Sequence, residues 1–290
     1  LTIGSFDGIH LGHQSLIKNL INIDQNKSVL ISFYPVPKSF FMKEAYEGDI
    51  LVKDEKINIL KSLEIDLLCI IKFDEKVRTI SAETFLKKVI TAFQPKNIIV
   101  GYNHFFGHKK EGNLNFLLKN QTKYNFNVIK IDEHKHPKIG QISSTIIRNN
   151  IKSGDISSAN KLLGYNFTVS GKVVSGKKIG RKIGFPTANL KYDNNKILPR
   201  LGVYFISSEI FGSKYYGMCN IGFKPTVSQS QSISIEIHFF QFERNIYDKN
   251  ICIEFISFIR EEKTFKNLSS LKKQLEHDMN KCLEFCDNNV

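Results

Sequence analysis

GSFDGIHLGH, residues 4–13, places a glycine-rich turn between a strand and a helix, and this arrangement decides the fold of the first half of the chain. Residues 1–3 read as the end of a strand, and residues 11–23 have the apolar spacing of a helix. Glycine lets the backbone turn sharply and approach a ligand closely. The helix therefore begins at the turn, with unpaired backbone N–H groups and the positive end of its dipole facing any ligand bound there.

Two histidines in this stretch predict a phosphate-binding site. His10 and His13 lie three positions apart, so they share one face at the start of the helix. An imidazole adds hydrogen-bond donors without a permanent charge at neutral pH. The alternative is an ordinary strand-to-helix turn with two histidines on its surface.

Length and composition indicate a globular protein with two domains. The 290 residues suffice for two separate cores, since single cores usually stop growing at roughly 250–300 residues. Hydrophobic residues make up 41% of the chain and charged residues 24%. No apolar stretch approaches the ~18 residues of a membrane-spanning helix, so we expect no membrane role. Because Leu1 lies in mid-strand, we expect residues to precede it in the natural protein.

Charge and cysteine content bear on the partners and the compartment. The net charge of +13 suits ligands that carry phosphate, and equally RNA or an anionic membrane. The lysines are spread along both halves, which favours a solvated basic surface. Five cysteines without CxxC spacing predict neither a disulfide framework nor a zinc site. This usage favours a reducing compartment, and we expect a cytoplasmic protein.

Strand-like and helix-like segments alternate through the first half of the chain. Short β-branched runs suit buried parallel strands, and helical spacing fills the segments between them. The predicted strands cover residues 29–33, 67–71, 97–100 and 127–131, and the predicted helices cover 54–63, 81–93 and 114–124. The pattern predicts an α/β domain over residues 1–150 with a Rossmann-like, doubly wound sheet, whose ligand lies at the carboxyl ends of the strands.

The pattern changes at residue 167. Before it, residues 144–151 and 156–163 predict short helices, and we assign 151–166 to a connecting helix and linker. After it, β-rich runs separated by Gly, Asn and Ser predict an antiparallel β-barrel domain with a terminal helix over residues 167–290. The predicted strands cover 167–174, 202–208, 215–221, 233–240 and 251–259, and the helix covers 268–285.

The opening motif resembles the nucleotidylyltransferase superfamily, in the form found in the FAD synthetase half of the bacterial bifunctional riboflavin kinase/FAD synthetases. Later stretches are similar to the other signatures of that half, and then to the kinase half, in the same order along the chain. The matching residues are Gly101, Tyr102, Asn103, His104, Phe106, Gly107, Gly112, Asn113, Ser143, Ser144, Thr145 and Arg148 for the synthetase half, and Gly184 to Asn189, Gly202, Val203, Tyr204, Asn220, Ile221, Gly222, Pro225, Thr226 and Glu236 for the kinase half.

The resemblance implies that the first domain joins an AMP unit from ATP to FMN. The attacking FMN phosphate is ionised at neutral pH, so this reaction needs alignment and charge stabilisation rather than a general base. The resemblance gives His10, His13 and Arg148 these catalytic roles. It implies nucleotide or phosphate contacts for Gly4, Phe6, Asp7, Gly8, Gly12, Gly101, Asn103, Ser143, Ser144 and Thr145.

Asn103 departs from the family pattern, which usually has Asp at this position. An amide cannot carry the negative charge that helps to hold a base edge, although its carbonyl still accepts a hydrogen bond. This departure leaves open a second interpretation, an active riboflavin kinase fused to an impaired adenylyltransferase.

The resemblance implies that the second domain phosphorylates riboflavin. A neutral ribityl hydroxyl is a poor nucleophile, so a carboxylate near its proton is chemically sensible. By resemblance this general base is Glu236, which strand alternation places with Ser234 and His238 on the face opposite the isoleucines. The alternative for a lone Glu in a strand is a solvated side chain.

Other residues are predicted to hold the substrates of this second domain. Thr187 and Asn189 offer hard oxygens two residues apart, which suit Mg²⁺ bridging the ATP phosphates, with a plain turn after Pro186 as the alternative. The glycine- and lysine-rich stretch upstream suits a loop that covers phosphates. The predicted phosphate contacts are Gly176, Lys177, Gly180, Gly184 and Pro186, and the predicted flavin contacts are Asn220 and Arg260.

The sequence therefore favours a two-domain enzyme that uses ATP and Mg²⁺ to make FMN from riboflavin and FAD from FMN. Its expected partners are riboflavin, FMN and ATP, with weak self-association, no nucleic acid and no membrane. An alternative of another class is a basic RNA-binding protein. That alternative requires clustered cations with exposed aromatic residues between them, whereas the Phe residues here mostly fall on apolar strand or helix faces.

Overall fold

A computed structural model of the chain describes residues 1–23, 27–133, 135–136, 140–176, 180–223 and 233–287. The chain forms two compact units, Leu1–Ile146 and Ile147–Val290.

The first unit contains a parallel sheet with helices between its strands. Its strands are β1 (Thr2–Ile3), β2 (Val29–Tyr34), β3 (Leu67–Lys72), β4 (Asn97–Gly101) and β5 (Asn127–Ile131), with a small antiparallel pair, β6 (Lys135–His136) and β7 (Gly140–Gln141). Its helices are α1 (Leu11–Asn22), α2 (Pro37–Met42), α3 (Lys53–Ser62), α4 (Glu75–Thr79), α5 (Ala82–Phe93) and α6 (Leu114–Tyr124), and α7 (Ser144–Ser153) continues into the second unit.

The order of the parallel strands is β3-β2-β1-β4-β5. The order reverses at β1, which pairs with β2 on one side and with β4 on the other. In open α/β sheets, ligands bind outside the carboxyl ends of the strands at such a reversal. The predicted doubly wound sheet is therefore confirmed, and the turn after β1 lies at its ligand-binding edge.

Apolar residues of β1, β2 and β4 form the core of this unit together with one face of α5. Leu86 is fully buried and packs with Ile98 and Val100. The Ser81 hydroxyl accepts a hydrogen bond from the N–H of Thr84 and caps the start of α5. The buried face of α5 thus fixes the helix behind the sheet and leaves the carboxyl edge free for a site.

The second unit contains a closed antiparallel barrel and two further helices. The barrel order is β10-β11-β12-β9-β8-β13, which confirms the predicted barrel. The elements are α8 (Ile156–Leu163), β8 (Phe167–Val174), β9 (Ala188–Tyr192), β10 (Gly202–Ile210), β11 (Ser213–Phe223), β12 (Ile233–Phe239), β13 (Asn250–Arg260) and α9 (Leu268–Asp287).

Hydrogen bonds attach α8 to the barrel. Asn160 of α8 accepts from the backbone N–H of Phe167 at 2.7 Å and donates to the carbonyl of Phe255 at 2.9 Å. Gly164, in the left-handed conformation, ends the helix. Residues that the sequence assigned to a linker therefore belong to the second compact unit.

The barrel strands carry two distinct faces. Tyr204, Cys219 and Ile237 lie on the face that fills the barrel interior, where each is almost completely buried. On the opposite face, Val203 and Met218 pack against α9. The interior is therefore a filled core, and the outer face under α9 is where the barrel can bind a ligand.

Candidate functional sites

A cavity of about 340 Å³ lies at the carboxyl edge of β1 and β4 in the first unit. It brings together most of the residues that the sequence predicted for the first site. The predicted residues that line it are Gly4, Phe6, His10, Gly12, His13, Gly101, Asn103, Ser143 and Ser144. The turn after β1, the loop after β4 and the start of α7 thus meet at one place.

His10 and His13 form a compact pair at the start of α1. Nδ1 of His10 accepts the backbone N–H of His13 at 3.4 Å, so His10 caps the helix. The two rings stack with centroids 3.7 Å apart. Nδ1 of His13 is buried and has no hydrogen-bond partner among the described residues. The pair therefore offers the cavity a helix N-terminus and an imidazole whose Nδ1 has no hydrogen-bond partner among the described residues.

Burial keeps both imidazoles neutral. Burial lowers the pKa of His10 to about 4. It also lowers the pKa of His13 well below the ordinary value, and charge repulsion from His10 and Lys56 lowers that pKa further. Neutral imidazoles donate and accept hydrogen bonds but do not act as cations at pH 7. We therefore interpret the pair as hydrogen-bonding groups for phosphate.

The turn itself is strained and held by buried contacts. Phe6 and Ile9 have φ values of 45° and 37°, a backbone conformation that is unfavourable for residues other than glycine. Both side chains are buried, and Oδ1 of Asp7 accepts the backbone N–H of Ile50 at 3.1 Å. The hydroxyl of Ser144 donates to the carbonyl of Asp7 at 2.8 Å. These contacts join the start of α7 to the turn.

Lys56 is a supporting residue that the sequence did not reveal. It is fully buried, and Nζ donates to the carbonyl of Ser5 at 2.8 Å. Burial lowers its pKa, and the nearby carboxylates of Asp7 and Asp49 act in the opposite direction. A lysine in an amphipathic helix is normally solvent-exposed, so only the folded contacts show that this one supports the turn from beneath.

The loop after β4 contributes a third histidine. His104 lines the cavity, its Nε2 is buried, and no described residue makes a hydrogen bond to that atom. Burial lowers the pKa of His104 to about 4. The sequence matched His104 to a family signature without assigning it a role in the site. Asn103 is exposed at the same cavity.

Four residues predicted for the first site do not line this cavity. Asp7 and Gly8 lie in the turn, and Thr145 follows Ser144 in α7, but the cavity wall does not include them. Arg148 is buried in the second unit, one helical turn after Ser144. The catalytic role predicted for Arg148 and the nucleotide or phosphate contacts predicted for Asp7, Gly8 and Thr145 stay predictions.

The neutral histidines predict that the first unit loses stability in mild acid. Each takes up a proton more readily in the unfolded chain, where its pKa is near 6.5, than in the folded unit, where the pKa of His10 and His104 is about 4. The contributions of His10 and His104 are therefore complete above pH 6.5 and are lost as the pH falls toward 4, by about 1–2 kcal/mol for each of these two residues between pH 7 and 5.

Thermal melts of the whole chain at pH 7 and pH 5 test this expectation. His104→Phe keeps a ring beside Phe106 and removes one of the titrating groups, so its melting temperature is expected to change less between the two pH values. Equal changes for the variant and the parent would contradict the assignment of His104.

A second cavity of about 600 Å³ lies on the outer face of the barrel, beside α9. Strand register explains its composition, because residues aligned across neighbouring strands point to the same face. Neighbouring pairs along one row are Val174–Asn189, Asn189–Glu236, Glu236–Asn220, Asn220–Val203 and Val203–Arg260. Every member of this row lines the cavity.

Glu236 lies in the middle of that row, between Asn189 on β9 and Asn220 on β11. Burial alternates from Ile235 to Phe239, with Ile235 and Ile237 buried and Glu236 half-buried, so the predicted alternation around Glu236 is confirmed, although Ser234 is buried as well. Thr187 lines the same cavity. The structure thus brings the predicted base and both predicted metal ligands to one place.

Gly176 and Gly180 are glycines because of close packing. A Cβ atom on Gly176 would overlap the amide nitrogen of Asn189, and one on Gly180 would overlap the carbonyl oxygen of Phe185. The N–H of Phe185 closes this loop on the carbonyl of Gly180 at 2.9 Å. Gly176, at the start of the stretch predicted to cover phosphates, therefore lies directly against the predicted metal ligand Asn189.

Gly176→Ala is therefore expected to impair the second site selectively. The added methyl displaces the Asn189 amide, and misplacement of a site residue by about 1 Å costs up to roughly 10²-fold in rate. We expect FMN formation from riboflavin to fall about 10- to 100-fold in kcat/KM, with an unchanged melting temperature. Conversion of added FMN to FAD by the same preparation is the control, and a parallel loss there would contradict the assignment.

The two residues predicted to contact flavin line the cavity but also have protein partners. The guanidinium of Arg260 binds Asp278 of α9 through Nε at 2.9 Å and NH2 at 2.8 Å. Nδ2 of Asn220 donates to Oε1 of Glu262 at 3.3 Å. Arg260 thus fixes α9 over the barrel, and Glu262 is a second carboxylate of the cavity that the sequence did not identify.

Two described residues that were predicted to contact phosphate do not line the cavity. Gly184 and Pro186 belong to the segment before β9, outside the cavity wall. Lys177 lies outside the described residues, as do Pro225 and Thr226 of the matched signature. The phosphate contacts of Lys177, Gly184 and Pro186 stay predictions.

Comparison with known families and proteins shows to which family the chain belongs. The FAD synthetase family model matches residues 1–146, and the riboflavin kinase model matches residues 163–286. A bifunctional riboflavin kinase/FMN adenylyltransferase from Buchnera aphidicola subsp. Schizaphis graminum is 39% identical over 96% of this chain and 91% of its own length. The chain belongs to the bifunctional riboflavin kinase/FMN adenylyltransferase family.

Other members of the family align over similar lengths. The relative from Listeria monocytogenes is 32% identical over 96% of this chain and 89% of its own, and the relative from Escherichia coli is 30% identical over 98% and 92%. The recognition from sequence motifs is therefore confirmed, and the two cavities lie in the family's synthetase and kinase halves.

One solved structure matches nearly the whole chain. It comes from Streptococcus pneumoniae and is described as a macrolide-efflux protein, with a TM-score of 0.84, 30% identity, and coverage of 96% of this chain and 92% of that one. Within this chain, no described helix is both long and apolar enough to cross a membrane.

Proposed function

We propose that the chain phosphorylates riboflavin to FMN at the barrel cavity and adenylylates FMN to FAD at the cavity of the α/β unit. The observation that carries the proposal is the sorting of the family signatures into two separate cavities. His10, His13 and Ser144 face the first cavity, and Thr187, Asn189 and Glu236 face the second. Each reaction then has the chemical groups that it requires.

At the second cavity, Glu236 accepts the proton of the ribityl hydroxyl while the hydroxyl oxygen attacks the γ-phosphorus of ATP. The products are FMN and ADP. Asn189 and Asn220 are the neighbours of Glu236 on the two adjoining strands, so the three side chains lie on the same face of the sheet. Gly176 and Gly180 bring backbone to the edge of the same cavity, where the phosphates of ATP would lie.

The donor set of this cavity fits Mg²⁺. Among the described residues, no cluster of His, Cys, Asp and Glu is arranged as a metal site. Mg²⁺ prefers oxygen ligands and usually keeps several waters beside the substrate phosphates, so the neutral oxygens of Thr187 and Asn189 could supply the protein's part of its ligands. When bound, the ion would neutralise the negative charge that develops on the phosphates.

At the first cavity, the FMN phosphate attacks the α-phosphorus of ATP, and pyrophosphate leaves. The start of α1 and the neutral imidazole of His13 donate hydrogen bonds to the developing charge. Ser143 and Ser144, at the start of α7, also line this cavity. No side chain has to remove a proton, because the nucleophile is already an anion.

The other two interpretations of the sequence receive no support from the comparisons. The relatives bear the names of both activities, which favours a working adenylyltransferase despite Asn103. Neither of the two matching family models, riboflavin kinase and FAD synthetase, is described as RNA-binding. We infer a cytoplasmic enzyme that takes riboflavin, FMN and ATP as substrates, with FMN and FAD as products, and weak self-association stays a prediction.

One incubation tests the proposed function. The whole chain is mixed with riboflavin, ATP and Mg²⁺, and FMN and FAD are separated by chromatography. Both products are expected, with ADP and pyrophosphate released in step with them. FMN alone would point to the impaired adenylyltransferase, and the absence of both flavin nucleotides would overturn the proposal.

A further inference from the structure

His238 lies two residues after Glu236 on β12 and lines the same cavity. Its Nδ1 is 2.8 Å from the carbonyl oxygen of Pro186. A carbonyl oxygen can only accept a hydrogen bond, so Nδ1 must carry the proton. The ring is flanked by Phe185 and Phe240, with centroids 5.0 and 6.0 Å away, which restricts its rotation.

The hydrogen bond continues the connection between β9 and β12 where backbone pairing stops. Asn189 pairs with Glu236 and Ala188 with Ile237, and no further pair is formed in this direction. Pro186 has no N–H group, so the backbone alone cannot extend the ladder through it. The His238 side chain supplies a donor there instead.

We propose that His238 is a positioning residue of the kinase site: by holding the Pro186 carbonyl, it sets the place of Thr187 and Asn189 opposite Glu236. The inference rests on the proposed kinase function of the second unit. Thr187 follows Pro186 directly, so release of this carbonyl moves the Thr187 hydroxyl first. Glu236 lies between β9 and β11 in the sheet, so the distance between base and ligands would change.

The surroundings of His238 support a single state of its ring. Burial lowers the pKa of His238, so the imidazole is neutral at pH 7 and has one N–H to place. With that proton on Nδ1, both the position and the tautomer of the ring are determined by the segment before β9. A side chain that only filled space would not need either.

Three substitutions separate hydrogen bonding from packing. Asn places an amide nitrogen close to the position of Nδ1, Gln places one close to Nε2, and Phe keeps the ring without a hydrogen bond. His238→Phe and His238→Gln are expected to lower kcat/KM for FMN formation about 10- to 100-fold, mainly through kcat. Both should also need more Mg²⁺ for the half-maximal rate. His238→Asn is expected to stay within about threefold of the parent, because the neutral hydrogen bond is kept.

The same preparations supply the controls. Conversion of added FMN to FAD uses the first unit and is expected to be unchanged in all three variants. Parental FMN formation by His238→Phe, or an Asn variant as impaired as the Phe and Gln variants, overturns the inference. If all three variants melt at lower temperatures, and the fraction that is unfolded in the assay accounts for the lost activity, the inference is also overturned in favour of a packing role. A parent chain that forms no FMN overturns the proposed function itself, and the inference with it.

Discussion

Glu236→Gln is expected to abolish FMN formation from riboflavin and to leave the conversion of added FMN to FAD intact. Positioned acid–base groups contribute roughly 10²–10⁴-fold to such reactions. Gln keeps the size of the side chain and its place between Asn189 and Asn220, but it cannot accept the proton of the ribityl hydroxyl. We therefore expect FMN formation to fall by at least about 100-fold in kcat. Chromatographic separation of FMN and FAD, formed in the two half-reactions, measures this effect.

Glu262 provides a matched control for the loss of one negative charge. It lines the same cavity, but its Oε1 accepts a hydrogen bond from Asn220. Glu262→Gln is expected to lower FMN formation by much less than Glu236→Gln. A Glu236→Gln variant that works at more than about a tenth of the parental rate is incompatible with general-base catalysis.

Local sequence patterns were sufficient to predict most elements of the fold. The predicted strand 127–131 coincides with β5, and the predicted helix 156–163 coincides with α8. In both, apolar periodicity and flanking turn residues act within a few positions. β9 was missed because Ala188–Tyr192 is short and half polar, and its partners on β8 and β12 are distant in sequence. Strand pairing with distant segments leaves little local signal.

The candidate sites were predictable in part for the same reason. Alternation along β12 placed Glu236 on the correct face, and the turn before α1 placed His10 and His13 together. The supporting contacts could not be read in this way, because they join distant segments. Lys56 contacts the carbonyl of Ser5 across 51 positions.

His238 illustrates both cases. Alternation already placed it on the face of Glu236, yet its bond to Pro186 spans 52 positions. Arg260 was predicted from its place at the end of a strand to touch flavin, and its bond to Asp278 depends on where α9 packs. Alternation along a strand predicts on which face of the sheet a side chain lies, but its hydrogen-bond partner is known only from the folded structure.

His13→Ala is expected to be the counterpart of Glu236→Gln, with FAD formation lost and FMN formation unchanged. The substitution removes a neutral imidazole whose Nδ1 has no hydrogen-bond partner among the described residues, at a cavity formed within the first unit. Removal of one donor that stabilises developing charge typically costs about 10²–10³-fold in kcat. The ring stacks on His10 and contacts Phe6, so we also expect a lower melting temperature, and both half-reactions are measured well below it, where the variant is folded.

The pH profile then distinguishes hydrogen bonding from proton transfer at His13. Burial holds the pKa of His13 well below its usual value, so the imidazole is neutral across pH 6–8 and the parental rate of FAD formation should not follow its titration. His108→Ala, in the same unit but outside the cavity wall, serves as the matched control and should keep both activities. If His13→Ala lowers FMN and FAD formation equally in a folded protein, the two reactions do not use separate cavities. If it lowers FAD formation alone, phosphate binding at the start of α1 accounts for the loss, since the FMN phosphate needs no base.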